Sequence, residues 1–349
     1  MAPSALAAQA TAPLLAEDGR IEQPLLLVDL DGGPEDVGAA ATAATVSDRV
    51  LVGISRGRAP APRWEPLVRA LDLTLVPSGS DRGTPEVVAV PDPTAAALAL
   101  SATARAYPHA SVVLAGLLRW SGGLDVPAAL DAESLAYSTL LGGPEFAAWL
   151  ARRGPRPLPP PAREEPVLLR RDDDELRLTL NRPERRNAYG QQVRDALVSA
   201  LQLVAWDDGI VRVVLDGAGP AFCSGGDLDE FGVAPDPVTA HLVRTSAGAA
   251  LPLHRVADRV EVRLHGACVG AGIELPAYAH RIVAAPDTRI RLPEIGMGLI
   301  PGAGGTVSIP RRIGRWRTLY LALSDTVIDA ETALSWGLVD SVAGHLPPV

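Results

Sequence analysis

The stretch HGACVGAGIELPAYAHRIVAAPDTRIRLPEIGMGLIPGAGGT, residues 265–306, sets two glutamates, Glu274 and Glu294, between aliphatic residues in a run otherwise rich in glycine and apolar side chains. A carboxylate in such company is costly to keep ionised unless it has a partner or a task. Strand and helix signals alternate on both sides of it. LRLTLNRP reads as an alternating strand closed by Asn-Arg-Pro, and GQQVRDALVSALQLVAWDD as an amphipathic helix. VRVVLDGAG, RVEVRLHG and HRIVAAP read as further strands, giving a βα succession.

Upstream, the Pro-rich segment GPRPLPPPAREEP, residues 154–166, removes backbone donors and predicts a linker between separately folded units. Before it, PLLLVDLDGG, RVLVGIS, LTLVPSG, EVVAV and SVVLAGLL read as strands. Helices are expected over GPEDVGAAATAATVS and over residues 93–107. Residues 21–153 are therefore expected to form a small α/β domain, with residues 1–20 a loose N-terminus and residues 167–349 a second domain. No repeat at solenoid periods is visible.

The chain has 349 residues, a formal net charge of −9 and a pI near 5.2. Lysine does not occur, so every fixed side-chain cation is an arginine. An acidic chain of this kind is a poor match for nucleic acid or an anionic membrane, whose recognition rests on clustered positive charge. Cys223 and Cys268 make neither a disulfide framework nor a four-ligand zinc site, which fits a reducing cytoplasm. No window reaches about 18 uninterrupted strongly apolar residues. The DLDGG at residues 29–33 reads as a strand end rather than a magnesium site, GAGGT at residues 302–306 as a Gly-rich helix start, and the six histidines show no metal-ligand spacing.

GPAFCSGGDLDEF, residues 219–231, runs from a strand into small residues and an acidic helix start, and CVGAGIEL has the same character. Small side chains let a ligand approach the backbone, whose exposed N–H groups can donate to an oxyanion; taken alone, the same residues read more readily as tight packing turns.

Taken in order, LTLNRPERRNAYG, FCSGGDL, GACVGAGIEL, LPEIGMGLIPGAGGT and ALSWGLVD resemble the crotonase (enoyl-CoA hydratase/isomerase) superfamily over residues 167–343, about half the chain. The resemblance implies an α/β fold: a ββα spiral core, here preceded by the smaller α/β N-terminal domain. It implies an acyl-CoA thioester as substrate, coenzyme A entering as part of it, with no metal and no separate cofactor. It places the oxyanion-hole N–H groups at Gly226 and Ala271 and the catalytic carboxylates at Glu274 and Glu294. The coenzyme A and acyl contacts fall on Asn187, Ala188, Phe222, Ser224, Gly225, Gly226, Asp227, Leu228, Gly270 and Pro293. A homo-oligomer, trimer or hexamer, is also implied, cytoplasmic, without nucleic-acid or membrane partners.

Three departures stand out. The position after GGDL, often basic in the family, is Asp229, so Arg185 and Arg186 are the substitutes expected for the phosphates. YAH at residues 278–280 replaces the usual ACD. The family generally continues with C-terminal helices beyond the point where LVDSVAGHLPPV ends. Residues 130–154 carry amphipathic helix signals that loosely resemble those helices moved to the front of the chain. There Leu135, Leu140, Leu141, Phe146, Trp149 and Leu150 are expected to pack on the core as a lid, with Arg152 and Arg153 free for phosphates. Hydration of a 2-enoyl-CoA, or the reverse dehydration, is the reading favoured by retention of both glutamates. Double-bond isomerisation, thioester hydrolysis and a non-catalytic acyl-CoA-binding or scaffold role are the alternatives.

Overall fold

A computed structural model describes residues 1–32, 36–80 and 83–343. The N-terminal half comprises α1 (Pro3–Ala10), β1 (Leu25–Asp29), α2 (Val37–Val46), β2 (Val50–Ile54), α3 (Glu65–Ala70), β3 (Leu73–Pro77), β4 (Val87–Val90), α4 (Pro93–Ala106), α5 (Pro108–Trp120), α6 (Val126–Leu141) and α7 (Pro144–Arg153). Its four strands pair in parallel in the order β1-β2-β3-β4. A parallel sheet must be covered on both faces. Alternation along the strands divides the work: Leu26, Val28 and Leu51 pack with Leu6, Trp64 and Leu67 on one face, while Val50, Val52, Leu73 and Leu75 turn to the other.

The C-terminal half comprises β5 (Val167–Asp172), β6 (Glu175–Leu180), α8 (Gln191–Trp206), β7 (Arg212–Gly217), α9 (Pro237–Ala247), α10 (Ala250–Arg255), β8 (Val260–Leu264), β9 (Ala267–Val269), α11 (Ala271–Glu274), β10 (Arg281–Ala284), β11 (Arg289–Arg291), α12 (Gly305–Ser324), β12 (Ile328–Asp329), α13 (Ala330–Trp336) and β13 (Ser341–Val342). The larger sheet runs β13-β10-β8-β7-β6-β5, antiparallel only between β5 and β6, and the smaller runs β12-β11-β9. Each unit sends one strand into the larger sheet, the next into the smaller and then turns into a helix: β8, β9 and α11, then β10, β11 and α12. This is the ββα spiral the resemblance implies.

Three expectations change. SVVLAGLL is helical, inside α5, where Leu114, Ala115, Leu117 and Leu118 are buried. A short continuous apolar run is compatible with a buried strand or a buried helix, and here Pro108 at the first turn opens a helix. The first twenty residues are not loose: α1 packs on α2, Leu6 is fully buried, and the Met1 ammonium donates to Leu27 O. The stretch 154–166 carries no helix or strand, as expected of a linker, yet the apolar core runs continuously from one half into the other. α12 packs against α4, α5, α6, β3 and β4. At this seam the carboxylate of Asp72, 1% exposed, receives Leu51 N at 2.7 Å, Arg119 Nε at 2.7 Å and Arg315 Nη1 at 3.1 Å. Trp316 Nε1 donates to Leu71 O at 2.9 Å.

At residues 29–33, Asp29 and Asp31 both accept from the Arg56 guanidinium, so their charge is met by a side chain at a strand end; Gly33 lies outside the described residues. So does the end of LVDSVAGHLPPV, residues 344–349.

Candidate active site

The two Gly-rich turns lie side by side because the chain beyond β7 joins the smaller sheet. The backbones of Cys223 and Cys268 pair in a parallel β-bridge, with Cys223 N donating to Ala267 O at 3.1 Å and Val269 N to Cys223 O at 3.0 Å. On the other edge Tyr189 N donates to Gly225 O and Asp227 N to Tyr189 O, which turns the N–H of the intervening Gly226 away from Tyr189. Ala271 opens α11, where an N–H has no intrahelical acceptor. Among the described residues neither Gly226 N–H nor Ala271 N–H donates within the chain. The two turns thus present two unspent donors from adjacent segments.

Both glutamates converge on Gly270. That residue has φ +49°, and a side chain built there would stand 2.5 Å from Glu294 Oε1 and 3.6 Å from Glu274 Oε1. Glycine therefore serves twice, in its backbone conformation and in leaving the carboxyl oxygens room. Glu274, 2% exposed, accepts Ala303 N at 2.8 Å and Gly305 N at 3.0 Å on Oε2. Glu294, at the start of the turn Glu294–Met297, keeps a buried Oε2 with no partner.

Burial is the largest influence on both carboxyls and favours their neutral forms. It pushes Glu294 up to about 8. Glu274 is also held well above the usual carboxylate range, by burial and then by the charges of Glu294 and Glu133, with the two N–H groups opposing. The folded chain binds the Glu294 proton more tightly than the unfolded chain does. The stabilisation linked to that proton is therefore complete below the ordinary carboxyl pKa and is lost as pH rises through about 8. Glu294→Gln cannot ionise, so its melting temperature is expected to gain on the wild type as pH goes from 5 to 9. Scanning calorimetry at those limits checks this, and a difference independent of pH would contradict it.

α6 and α7 cover this centre. Glu133 is buried against the start of α12, accepting Gly304 N at 2.7 Å and Thr306 N and Oγ1 each at 2.8 Å. The Tyr137 ring lies where a side chain on residue 302 would stand, so only glycine fits there, and the Arg244 guanidinium sits 4.4 Å from the ring centre. From α7, Trp149 stacks on Phe146 at 5.8 Å and meets Phe231 at 6.0 Å. A cavity of about 280 Å³ remains beneath α6, lined among others by Leu130, Glu133, Tyr189, Arg244, Gly302 and Gly304.

The expected coenzyme A contacts divide. Arg185 is not a free charge: it donates to Asp227 at 2.7 and 2.9 Å and to Asp229 at 2.9 Å, which raises its own pKa further. Arg153, expected free, pairs with the other oxygen of Asp229 at 2.7 Å and donates to Leu228 O. Asp229 thus ties α7 to the turn, and Asp227 is engaged in the same ion-pair network. Asn187 is fully buried, accepting Arg182 N and donating to Ala218 O and Ala221 O, so it braces the loop rather than meeting a ligand. Phe222 is a core side chain. Ala188, Ser224, Gly225, Leu228 and Pro293 keep some exposure or border the turns, and Gly270 stands between the carboxyls. Arg186 is exposed and forms no ion pair among the described residues. On the covering helices Leu140 and Phe146 are buried and Leu141, Trp149 and Leu150 pack on the core, whereas Leu135 is 57% exposed. The residue 278 change also has a consequence: Tyr278 donates to Gly304 O at 3.0 Å, bracing the loop before α12.

Glu133 and Tyr137 were not singled out from the sequence. Their one signal was a glutamate and a tyrosine four apart on an apolar-faced helix, a common pattern on surface helices.

The family described as enoyl-CoA hydratase/isomerase matches residues 175–345. A 1,2-epoxyphenylacetyl-CoA isomerase of Escherichia coli is 34% identical over 47% of this chain and 64% of its own length. A 2,3-dehydroadipyl-CoA hydratase of the same organism is 34% identical over 50% of this chain and 68% of its length. A probable enoyl-CoA hydratase of Mycobacterium tuberculosis is 34% identical over 52% and 71%. The chain belongs to the enoyl-CoA hydratase/isomerase (crotonase) family. It spans less than two thirds of the length of the first of these relatives. Among the described residues no helix is long and apolar enough to cross a membrane.

Proposed function

We propose that this chain adds water across the double bond of a 2-enoyl-CoA, or removes it in reverse. The observation that carries the reading is the convergence of two buried carboxyls on Gly270, beside two unspent backbone donors at Gly226 and Ala271. The donors take the thioester oxygen, whose growing negative charge makes C3 electrophilic; removing one such donor typically costs about 10²-fold or more in rate. Glu274 carries two amide donors on one oxygen and is the better-supported carboxylate, so it takes the proton of the attacking water. Glu294, whose Oε2 accepts no hydrogen bond, delivers a proton to C2. The proton on Glu274 then returns to Glu294 through solvent, and atoms balance as one water added.

With Arg185 and Arg153 neutralised by Asp227 and Asp229, the phosphates of coenzyme A fall to Arg186 and Arg152, both exposed. α6 and α7 act as the cover over the acyl group, excluding water from a site whose electrostatics depend on that exclusion. Two buried free cysteines suit a reducing cytoplasm, and a homo-oligomer remains part of the reading.

A panel of straight-chain, aromatic and dicarboxylic 2-enoyl-CoA thioesters tests it, by loss of the conjugated absorbance with mass spectrometry of the product. A gain of one water is the expected result. An isobaric product would assign the isomerase activity instead, free coenzyme A the thioesterase, and no turnover with retained binding the acyl-CoA-binding role.

A further inference from the structure

We propose that Glu133, supplied by α6 from the N-terminal half, is a positioning residue for Glu274. The start of α12 offers successive amide N–H groups, and two carboxylates share them alternately. Ala303 and Gly305 donate to Glu274, while Gly304 and Thr306 donate to Glu133, which also accepts the Thr306 hydroxyl. The first four N–H groups of a helix have no intrahelical acceptor, and the positive end of its dipole favours anions, so one turn can hold both groups. Because alternate amides of one short segment carry the two carboxylates, any movement of this turn at Glu133 moves the donors of Glu274.

Packing alone does not call for an acid here. Glu133 is 2% exposed, and a buried carboxylate is retained only where its acceptors are satisfied. Glutamine has nearly the same shape, but its amide nitrogen would face an N–H and lose that bond. The charged and titratable groups around Glu133 are Tyr137 on its own helix, Arg244 from α9, Glu274 from α11, Tyr278 from the turn Pro276–Tyr278 and Glu294 from the turn Glu294–Met297. Burial pushes Glu133 itself up to about 7, with the Thr306 and Gly304 donors and Arg244 opposing, and once ionised its charge disfavours ionisation of Glu274. Glu133 therefore acts on Glu274 in two ways, through the shared turn and through space.

The inference rests on the base role proposed for Glu274, and its test has one arm that needs no activity. In full-length Glu133→Gln, hydrogen exchange over residues 302–308 is expected to accelerate relative to wild type. On a 2-enoyl-CoA that the wild type hydrates, kcat is expected to fall by about 10- to 100-fold, the scale of a misplaced catalytic group, with KM little changed. The acid limb of the pH profile moves to lower pH, because Glu274 loses a negative neighbour. Glu133→Asp, which keeps the charge on a shorter arm, should leave that limb near its wild-type position; it also serves as the variant to read if the glutamine form does not fold.

Wild-type kcat and pH limb in Glu133→Gln would overturn the inference. So would a lower melting temperature with unmoved limb and unchanged exchange, the signature of a structural role alone. If the wild type turns over none of the thioesters, the hydratase reading fails by itself, and the exchange arm decides whether Glu133 holds the turn.

Discussion

Glu274→Gln and Glu294→Gln are each expected to lower the hydration rate of a good 2-enoyl-CoA by about 10²-fold or more, the usual contribution of a positioned acid or base. The two variants should fail differently. In Glu274→Gln the amide nitrogen is turned toward the substrate side or toward Ala303 N and Gly305 N; in either case the group can no longer accept the proton of water. In Glu294→Gln the loss is of the proton for C2, and the amide still places a polar atom at the buried position where Oε2 has no partner. Thioester affinity should survive in both, because the oxyanion donors are backbone groups at Gly226 and Ala271. Stopped-flow hydration with a separate binding titration distinguishes rate from affinity. Near-wild-type turnover in Glu274→Gln alone would move the reading toward isomerisation, which needs only the second carboxyl.

Removing the N-terminal half should be more destructive still. A chain starting at Glu164 leaves α12 without α4, α5 and α6, exposing apolar side chains that belong to one continuous core, and it strands Arg315 without Asp72. Breaking one partner from a buried ion pair typically costs about 3–5 kcal/mol, and the lost apolar contact adds to this. The same cut removes Glu133, Tyr137 and Trp149 from the cover of the site. The expected outcome is aggregation or a partly folded chain, visible by light scattering and near-ultraviolet circular dichroism. A soluble, fully active chain would show that the cover is dispensable. Limited proteolysis of the full-length protein, by contrast, is expected to cut first within residues 154–163, which lie mostly on the surface. The fragments should stay associated through the shared core.

Several features of this molecule were legible without coordinates because they are local. Hydrophobic alternation marks β6, a continuous apolar run marks β7, the period of α8 is helical, and prolines mark the stretch 154–166. The unlikely pairing of Glu274 and Glu294 with apolar and glycine neighbours already singled out the centre of the site, since burying an acid has a cost that chemistry can justify. Where the local signal was ambiguous, as in SVVLAGLL, the packing of α5 between the N-terminal sheet and α12 decided for helix.

Other features are long-range, and no period or motif encodes them. That Arg185 and Arg153 would be spent on Asp227 and Asp229 depends on α7 reaching the turn after residue 226, across the whole of the Pro-rich stretch. That Glu133 would share the start of α12 with Glu274 depends on two segments 171 residues apart meeting at Gly304. A sequence by itself determined which residues could carry a buried charge and which turns could bare an N–H. Which charges meet was settled only when tertiary packing brought the partners within hydrogen-bonding distance, because an ion pair or a shared helix start is a property of three-dimensional proximity rather than of spacing along the chain.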